Sequence, residues 1–148
     1  MRIVRVGGRN VWRLAHIERT PDASIWAAEA EEFLLDGRAA FHVRRPGTTM
    51  LAVMDETFIA VAILYPGPIF QNCNRLGSLA VDHRKRGRGV GRLLFAAMLT
   101  EACLSASYAV WLVHPDNAAM LHISRHDPRV SHEAVDESGY VVFFADRP

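Results

Sequence analysis

The chain has 148 residues, 50% of them hydrophobic and 22% charged, with 17 Lys and Arg against 16 Asp and Glu. That is the composition of one globular domain, residues 1–148, with enough chain to bury a core. The formal net charge of +1 supplies no global field that would draw nucleic acid or an anionic membrane, so any basic function must be local.

In chain order, residues 3–6 (Ile-Val-Arg-Val) suggest a short strand, and Gly7-Gly8-Arg9-Asn10 a turn. Residues 11–19 alternate imperfectly and are expected to return as a second strand, paired with the first in a hairpin. Thr20-Pro21-Asp22 has the chemistry of a helix start: a capping hydroxyl, a proline suited to the first turn and an acid for the positive end. The helix that follows carries Ala23, Trp26, Ala27, Ala30, Phe33 and Leu34 on one stripe, with Glu29, Glu31 and Glu32 largely off it, and ends at Asp36-Gly37. Residues 38–48 suggest a loop with one helical turn.

A hairpin is expected next, from residues 49–54, a turn at Asp55-Glu56-Thr57 and residues 58–65, stopped by Pro66-Gly67-Pro68. Residues 69–75 connect to a strand at 76–82. A helix follows, with Val90, Leu93, Leu94, Ala97, Met98 and Leu104 at helical spacing, and then an apolar strand at 108–114. These three elements form a β-α-β unit, so the two strands should be parallel with a right-handed crossover. Pro115-Asp116-Asn117 opens a short helix to about residue 124 or 125, and a last hairpin spans 130–135 and 140–145.

Cys73 and Cys103 show no metal-binding or disulfide-framework spacing and fit a reducing compartment. Residues 1–6 lack the apolar region of a secretory signal. No apolar run approaches the ~20 residues that span a bilayer. A cytoplasmic protein without a membrane partner is expected. His122 and His126 lie four apart on one helix, but no third metal ligand is specified.

The most informative stretch is residues 76–104. A strand ending in Leu79-Ala80-Val81 runs into a basic turn, in which Arg84, Lys85, Arg86, Arg88 and Arg92 surround Gly87, Gly89 and Gly91, and then into a helix. Glycine N–H groups and the positive end of a helix make an anion site. The spacing excludes two nucleotide motifs. The dinucleotide pattern G-x-G-x-x-G would need glycine where Arg92 stands, and no Lys-Ser or Lys-Thr completes a P-loop.

Strand, loop and helix resemble the acyl-CoA-binding segment of the GNAT superfamily of N-acetyltransferases, whose loop reads Q/R-x-x-G-x-G/A. Here it is Arg86-Gly87-Arg88-Gly89-Val90-Gly91, followed by Arg92. The element order resembles that fold over nearly the whole chain. The resemblance implies an α/β fold with a mixed, mostly antiparallel sheet, a central parallel β-α-β unit and helices on both faces. It implies acetyl-CoA as co-substrate, its diphosphate on residues 86–92 and its pantetheine arm along Leu79, Ala80 and Val81, facing 110–114 across a gap. Asn117 fits the family's cofactor-side Asn after the last β-α step.

The reaction implied is direct attack of an amine on the thioester. An aliphatic amine with a pKa near 10.4 must lose a proton at a cost of roughly 4.6 kcal/mol at pH 7, so a base is expected. The family often has Glu on the strand before the loop, where this chain has Arg75. The substitutes are His114, Glu56 and Glu133, with His114 favoured because neutral imidazole accepts a proton near pH 7. The family's proton-donating Tyr aligns with Ser124, and His122 or Tyr140 could stand in for it. Arg38, His42, Arg44 and Arg45, with His132, Glu133, Asp136 and Glu137, are expected near the acceptor. That acceptor is a small-molecule amine or an amine of a peptide or protein; nucleic acid is not expected, and homodimerisation is left open. The competing reading is an acyl-CoA-binding or protein-interaction module of the same fold without turnover.

Overall fold

A computed structural model describes residues 1–35, 39–66 and 73–146. Among these, seven strands form one sheet in the spatial order β1-β2-β3-β4-β5-β7-β6. The strands are β1 (Arg2–Arg5), β2 (Thr49–Asp55), β3 (Thr57–Pro66), β4 (Cys73–Val81), β5 (Tyr108–Val113), β6 (Val130–Val135) and β7 (Val141–Asp146). The helices are α1 (Ile25–Leu35), α2 (Ala39–His42), α3 (Val90–Ser105) and α4 (Ala118–His126). Every neighbouring pair is antiparallel except β4 and β5, which are parallel and joined through α3. The mixed sheet with a central β-α-β unit is the expected fold class.

Strand alternation divides the core in two. On one face, Leu51, Val53, Ala109, Trp111 and Phe143 meet Val90, Leu94, Phe95, Met98 and Leu99 of α3. On the other, Met50, Ala52, Val61, Ile63 and Ala80 meet Leu14, Ile17 and Leu34. Gly77 lets β3 and β4 approach where their register slips: a Cβ there would lie 2.6 Å from Tyr65 Cε1 and 2.9 Å from Ile63 Cγ2.

Four local expectations change. Residues 11–16 form a 3-10 helix, not a strand, and β1 pairs with β2 instead. The Asn10 side chain closes the preceding turn, its Oδ1 accepting from Gly7 N–H at 2.8 Å and its Nδ2 donating to Arg5 O at 3.0 Å. Leu14 and Ile17, three apart as a 3-10 turn requires, are the buried residues. The first helix starts at Ile25, not after Thr20, because Asp22 has φ 49 and cannot lie in a right-handed helix. Glu31, expected off the buried stripe, is 4% exposed, and its two carboxylate oxygens accept from Thr20 N–H at 3.1 and 2.8 Å. In β4 the strand begins at Cys73, earlier than residue 76. The expected stops at Asp36-Gly37 and Gly67-Pro68 lie outside the described residues.

One buried acid anchors the turn after β4. Asp82 is 1% exposed. Its carboxylate accepts from Arg84 N–H (2.9 Å), Arg84 Nε (3.1 Å), Arg84 Nη2 (2.9 Å) and Glu18 N–H (3.1 Å). Asp82 N–H donates to Ile59 O at 2.7 Å, and His83 N–H to Glu18 O at 3.0 Å. The turn is thus sewn both to β3 and to the segment before α1. The guanidinium of Arg84 and the backbone donors hold the Asp82 carboxyl at about 2 against an ordinary 3.8.

A folded-state value below the unfolded one means that this stabilisation is complete above roughly pH 5 and fades as pH falls through about 4 toward about 2. With Arg84 half in solvent, it is worth roughly 1–2 kcal/mol. Urea unfolding should find Asp82→Asn less stable at pH 7 and less sensitive to acid between about pH 5 and pH 2. An unchanged acid slope in that variant would show that Asp82 does not carry the clamp.

Candidate functional site

The loop leaves β4 at Asp82, passes a short 3-10 turn (His83–Lys85) and enters α3 at Val90. Gly87 and Gly89 have φ of 77 and 78, and no atom lies within 4 Å of where their Cβ atoms would be. Backbone conformation, not crowding, requires glycine at both places. Gly89 caps α3, and the first return bond of the helix runs from Leu93 N–H to Gly89 O at 3.0 Å. The N–H groups of Val90, Gly91 and Arg92 therefore precede the first intrahelical bond, at the positive end of the helix dipole.

The five basic side chains divide by role. Arg84 is engaged with Asp82 and with Glu18, whose Oε2 lies 3.1 Å from its Nε, so it serves the clamp and not the anion site. Arg86, Arg88 and Arg92 are exposed around the loop, and Lys85 is half-buried. Arg86 donates from Nη2 to Thr20 Oγ1 at 2.6 Å, which ties the loop to the segment held by Glu31.

Beside this loop the sheet divides. β4 and β5 pair only at Cys73↔Tyr108, Asn74↔Ala109 and Arg75↔Val110. Beyond that point β4 stays joined to β3, with Leu79↔Ala62, Ala80↔Val61 and Val81↔Ala60, but among the described residues has no strand on its other side. Alternate residues of this stretch direct N–H and C=O away from β3 into the gap. The gap leads from the apex at Arg75 and Val110 to the glycine loop. Residues with this arrangement can receive an elongated ligand that has an anionic end and an amide-containing arm. Asn117 caps the start of α4, its Oδ1 accepting from Met120 N–H at 3.2 Å.

On the sheet face opposite α3, three rings from separate elements meet. His114, just after β5, stacks on Trp26 of α1 (centroids 6.1 Å apart, planes at 22°) and meets Tyr140 edge-on at 5.3 Å. His114 Nδ1 accepts from Asp116 N–H at 3.0 Å, so the neutral ring carries its proton on Nε2. The Asp116 carboxylate is 3.9 Å from the same nitrogen.

The other expected groups go elsewhere. Ser124 is fully buried and accepts from Trp111 Nε1 at 2.9 Å, so its hydroxyl belongs to the core between α4 and β5. Glu133 pairs with Arg125 at 2.7 Å on the exposed surface, and that cation lowers its pKa. Glu56 forms the hairpin tip beside Met1 and Arg2. The His122 and His126 rings on α4 lie 4.0 Å apart, tilted by 33°. No group of three metal-binding side chains occurs among the described residues. On the expected acceptor side, His42 is buried against Phe33 (4.2 Å), and Arg38 lies outside the described residues. Sequence reading missed Trp26 as a neighbour of His114, and it missed the Asp82 and Glu31 carboxylates that hold the loop; all three depend on contacts between distant segments.

No curated protein matches the sequence. Solved structures match over its whole length. The paia N-acetyltransferase from Thermoplasma acidophilum, in complex with coenzyme A, has a TM-score of 0.74 at 12% identity and covers 98% of each chain. The ribosomal-protein-alanine N-acetyltransferase from Brucella melitensis has a TM-score of 0.68 at 18% identity and covers 99% of each. The yncA protein, a putative acetyltransferase from Salmonella typhimurium with its cofactor acetyl-CoA, has a TM-score of 0.67 at 14% identity and covers 100% of this chain and 94% of that one. The family model for the Acetyltransferase (GNAT) family matches residues 11–125, which include the clamp, the glycine loop, the parted strands and most of α4. By that match the chain belongs to the GNAT acetyltransferase family.

Proposed function

We propose that the protein transfers an acetyl group from acetyl-CoA to a primary amine by direct attack in a ternary complex. The observation that carries this reading is the glycine loop at the head of α3, set beside the gap between β4 and β5. Two of the similar structures were solved with coenzyme A or acetyl-CoA, which supports the choice of co-substrate. The residues fit that group: N–H donors from Gly87 to Arg92, with the Arg86, Arg88 and Arg92 guanidinium groups, suit a diphosphate. Backbone groups of Leu79, Ala80 and Val81 suit the amide arm, and Asn117 stays on the cofactor side of α4 as its cap. A cytoplasmic setting, where acetyl-CoA is made and used, belongs to the same reading; among the described residues no helix is long and apolar enough to cross a membrane.

Acetyl-CoA supplies an activated thioester, so the new C–N bond forms as the C–S bond breaks. The amine enters from the face of Trp26, His114 and Tyr140. His114 takes its proton. For this the ring must release the bond from Asp116 N–H and turn its proton to Nδ1, toward the Asp116 carboxylate, which opens Nε2 to the groove. Ser124 was the expected donor to the departing sulfur, but its enclosed hydroxyl has no route to it in this arrangement. Tyr140, beside His114, is the better-placed hydroxyl. A thiol with a pKa near 8.5 is in any case a competent leaving group.

Two measurements test this. Gly89→Glu, which places a carboxylate at the phosphate position and strains φ 78, should weaken acetyl-CoA binding by calorimetry on the order of 100-fold or more while the circular dichroism spectrum persists. Unchanged affinity would remove the basis of the assignment. His114→Ala should lower thiol release about 10–100-fold at pH 7, with the deficit shrinking toward pH 10 as free amine accumulates. A deficit that is constant with pH would instead mean that His114 only shapes the groove. Firm acetyl-CoA binding with no thiol released to any of a broad set of amines would favour a binding module over an enzyme.

A further inference from the structure

Among the described residues, the helix on the His114 side of the sheet, α1, packs on β4 and β3 and not on the surface that β5 and β7 share. Ala109, Trp111, Val113, Val141, Phe143 and Ala145 face α3, so their alternates Val110, Leu112, Val142 and Phe144 face the other way. Val110, Val142 and Phe144 are half-buried and Leu112 is 38% exposed. The register lays them out as one patch, with Val110 opposite Phe144 and Leu112 opposite Val142. Trp26, His114 and Tyr140 close one end of it.

Arg75 stands at the other end. It pairs with Val110 at the last rung before β4 and β5 part, and its guanidinium lies 5.7 Å from the centroid of Tyr65, whose ring packs against the α1-side core. It is half-buried and forms no ion pair with any described residue. The acid nearest in register on this face, Asp146, lies opposite Tyr108 at the exposed end of β7. The patch thus combines an apolar floor, an aromatic end wall and, at the apex of the gap, a cation whose charge no acid among the described residues neutralises. From Val110 to His114 is four residues of strand, about 13 Å, which is room for a molecule of amino-acid size.

We propose that the acceptor is a small amine bearing a carboxylate and an apolar body, such as an apolar amino acid. Arg75 binds the carboxylate. The body lies on Leu112, Val142 and Phe144; the α-amine, beside the carboxylate, faces the gap where β4 and β5 part, and its proton passes along the groove to His114 through water. The same guanidinium repels acceptors whose far end is cationic, so one residue selects in both directions. This inference rests on the acyl-transfer reading above.

The test is thiol release from acetyl-CoA with L-leucine, L-leucinamide and cadaverine, using the full chain and Arg75→Gln. Leucine should be a substrate. Arg75→Gln should raise its KM on the order of 10–100-fold with little change in kcat, and should leave the kinetics of leucinamide nearly unaltered. Calorimetry should give the same acetyl-CoA affinity for both forms, which guards against a misfolded variant. Turnover of cadaverine but not leucine, or an equal effect of Arg75→Gln on leucine and leucinamide, would overturn the inference and leave acyl transfer standing. Acetyl-CoA binding with no release from any of the three and from no wider amine set would overturn both.

Discussion

The parting of β4 from β5 is the constraint on which the site depends. Backbone N–H and C=O groups inside a sheet need partners, and two strands that run parallel normally supply them to each other along their length. Here the supply stops after Arg75 and Val110. Past that rung, β4 keeps one neighbour among the described residues, β3, and turns a row of amide groups toward the gap. Trp111 and Phe143 hold β5 against β7 and α3 on the far side, so the gap does not close by collapse. An extended ligand with its own amides is a chemically suitable partner for such an edge.

The glycine loop is useful only if it stays at the mouth of that gap, and the Asp82 carboxylate keeps it there. It joins the first residues after β4 to Glu18, while Arg86 reaches Thr20, whose N–H is held in turn by Glu31 of α1. The glycine loop and the helix that carries Trp26 therefore share one set of hydrogen bonds. Charge is divided accordingly: Arg84 is consumed in holding the turn, and Arg86, Arg88 and Arg92 surround the anion position.

Much of this was legible in the sequence because it is local. The β-α-β unit follows from the apolar run before Asp82, three spaced glycines and the recurrence of Val90, Leu94 and Met98 at helical intervals. The six residues of the loop were recognisable because Leu79-Ala80-Val81 precede them and a helical pattern follows, all within one local stretch. Long-range pairs were not legible. Asp82 and Glu18 are 64 positions apart, and neither sequence neighbourhood signals the bond. Glu31 looked like a solvent-facing residue because its partner, the Thr20 amide, is backbone and has no side-chain signature. Ser124 occupied the family's tyrosine position in sequence, but the indole of Trp111 draws it into the core. The segment after Asn10 showed weak alternation, and the three-residue interval between Leu14 and Ile17 was the stronger signal.

The central claim is that the bend from Gly87 to Arg92 seats the diphosphate of coenzyme A. A crystal structure of the chain with coenzyme A tests it most directly. It should place diphosphate oxygens about 2.7–3.2 Å from backbone nitrogens of that bend, with the pantetheine arm between β4 and β5. Density for the coenzyme at another surface, or a chain that does not take it up at all, would contradict the claim.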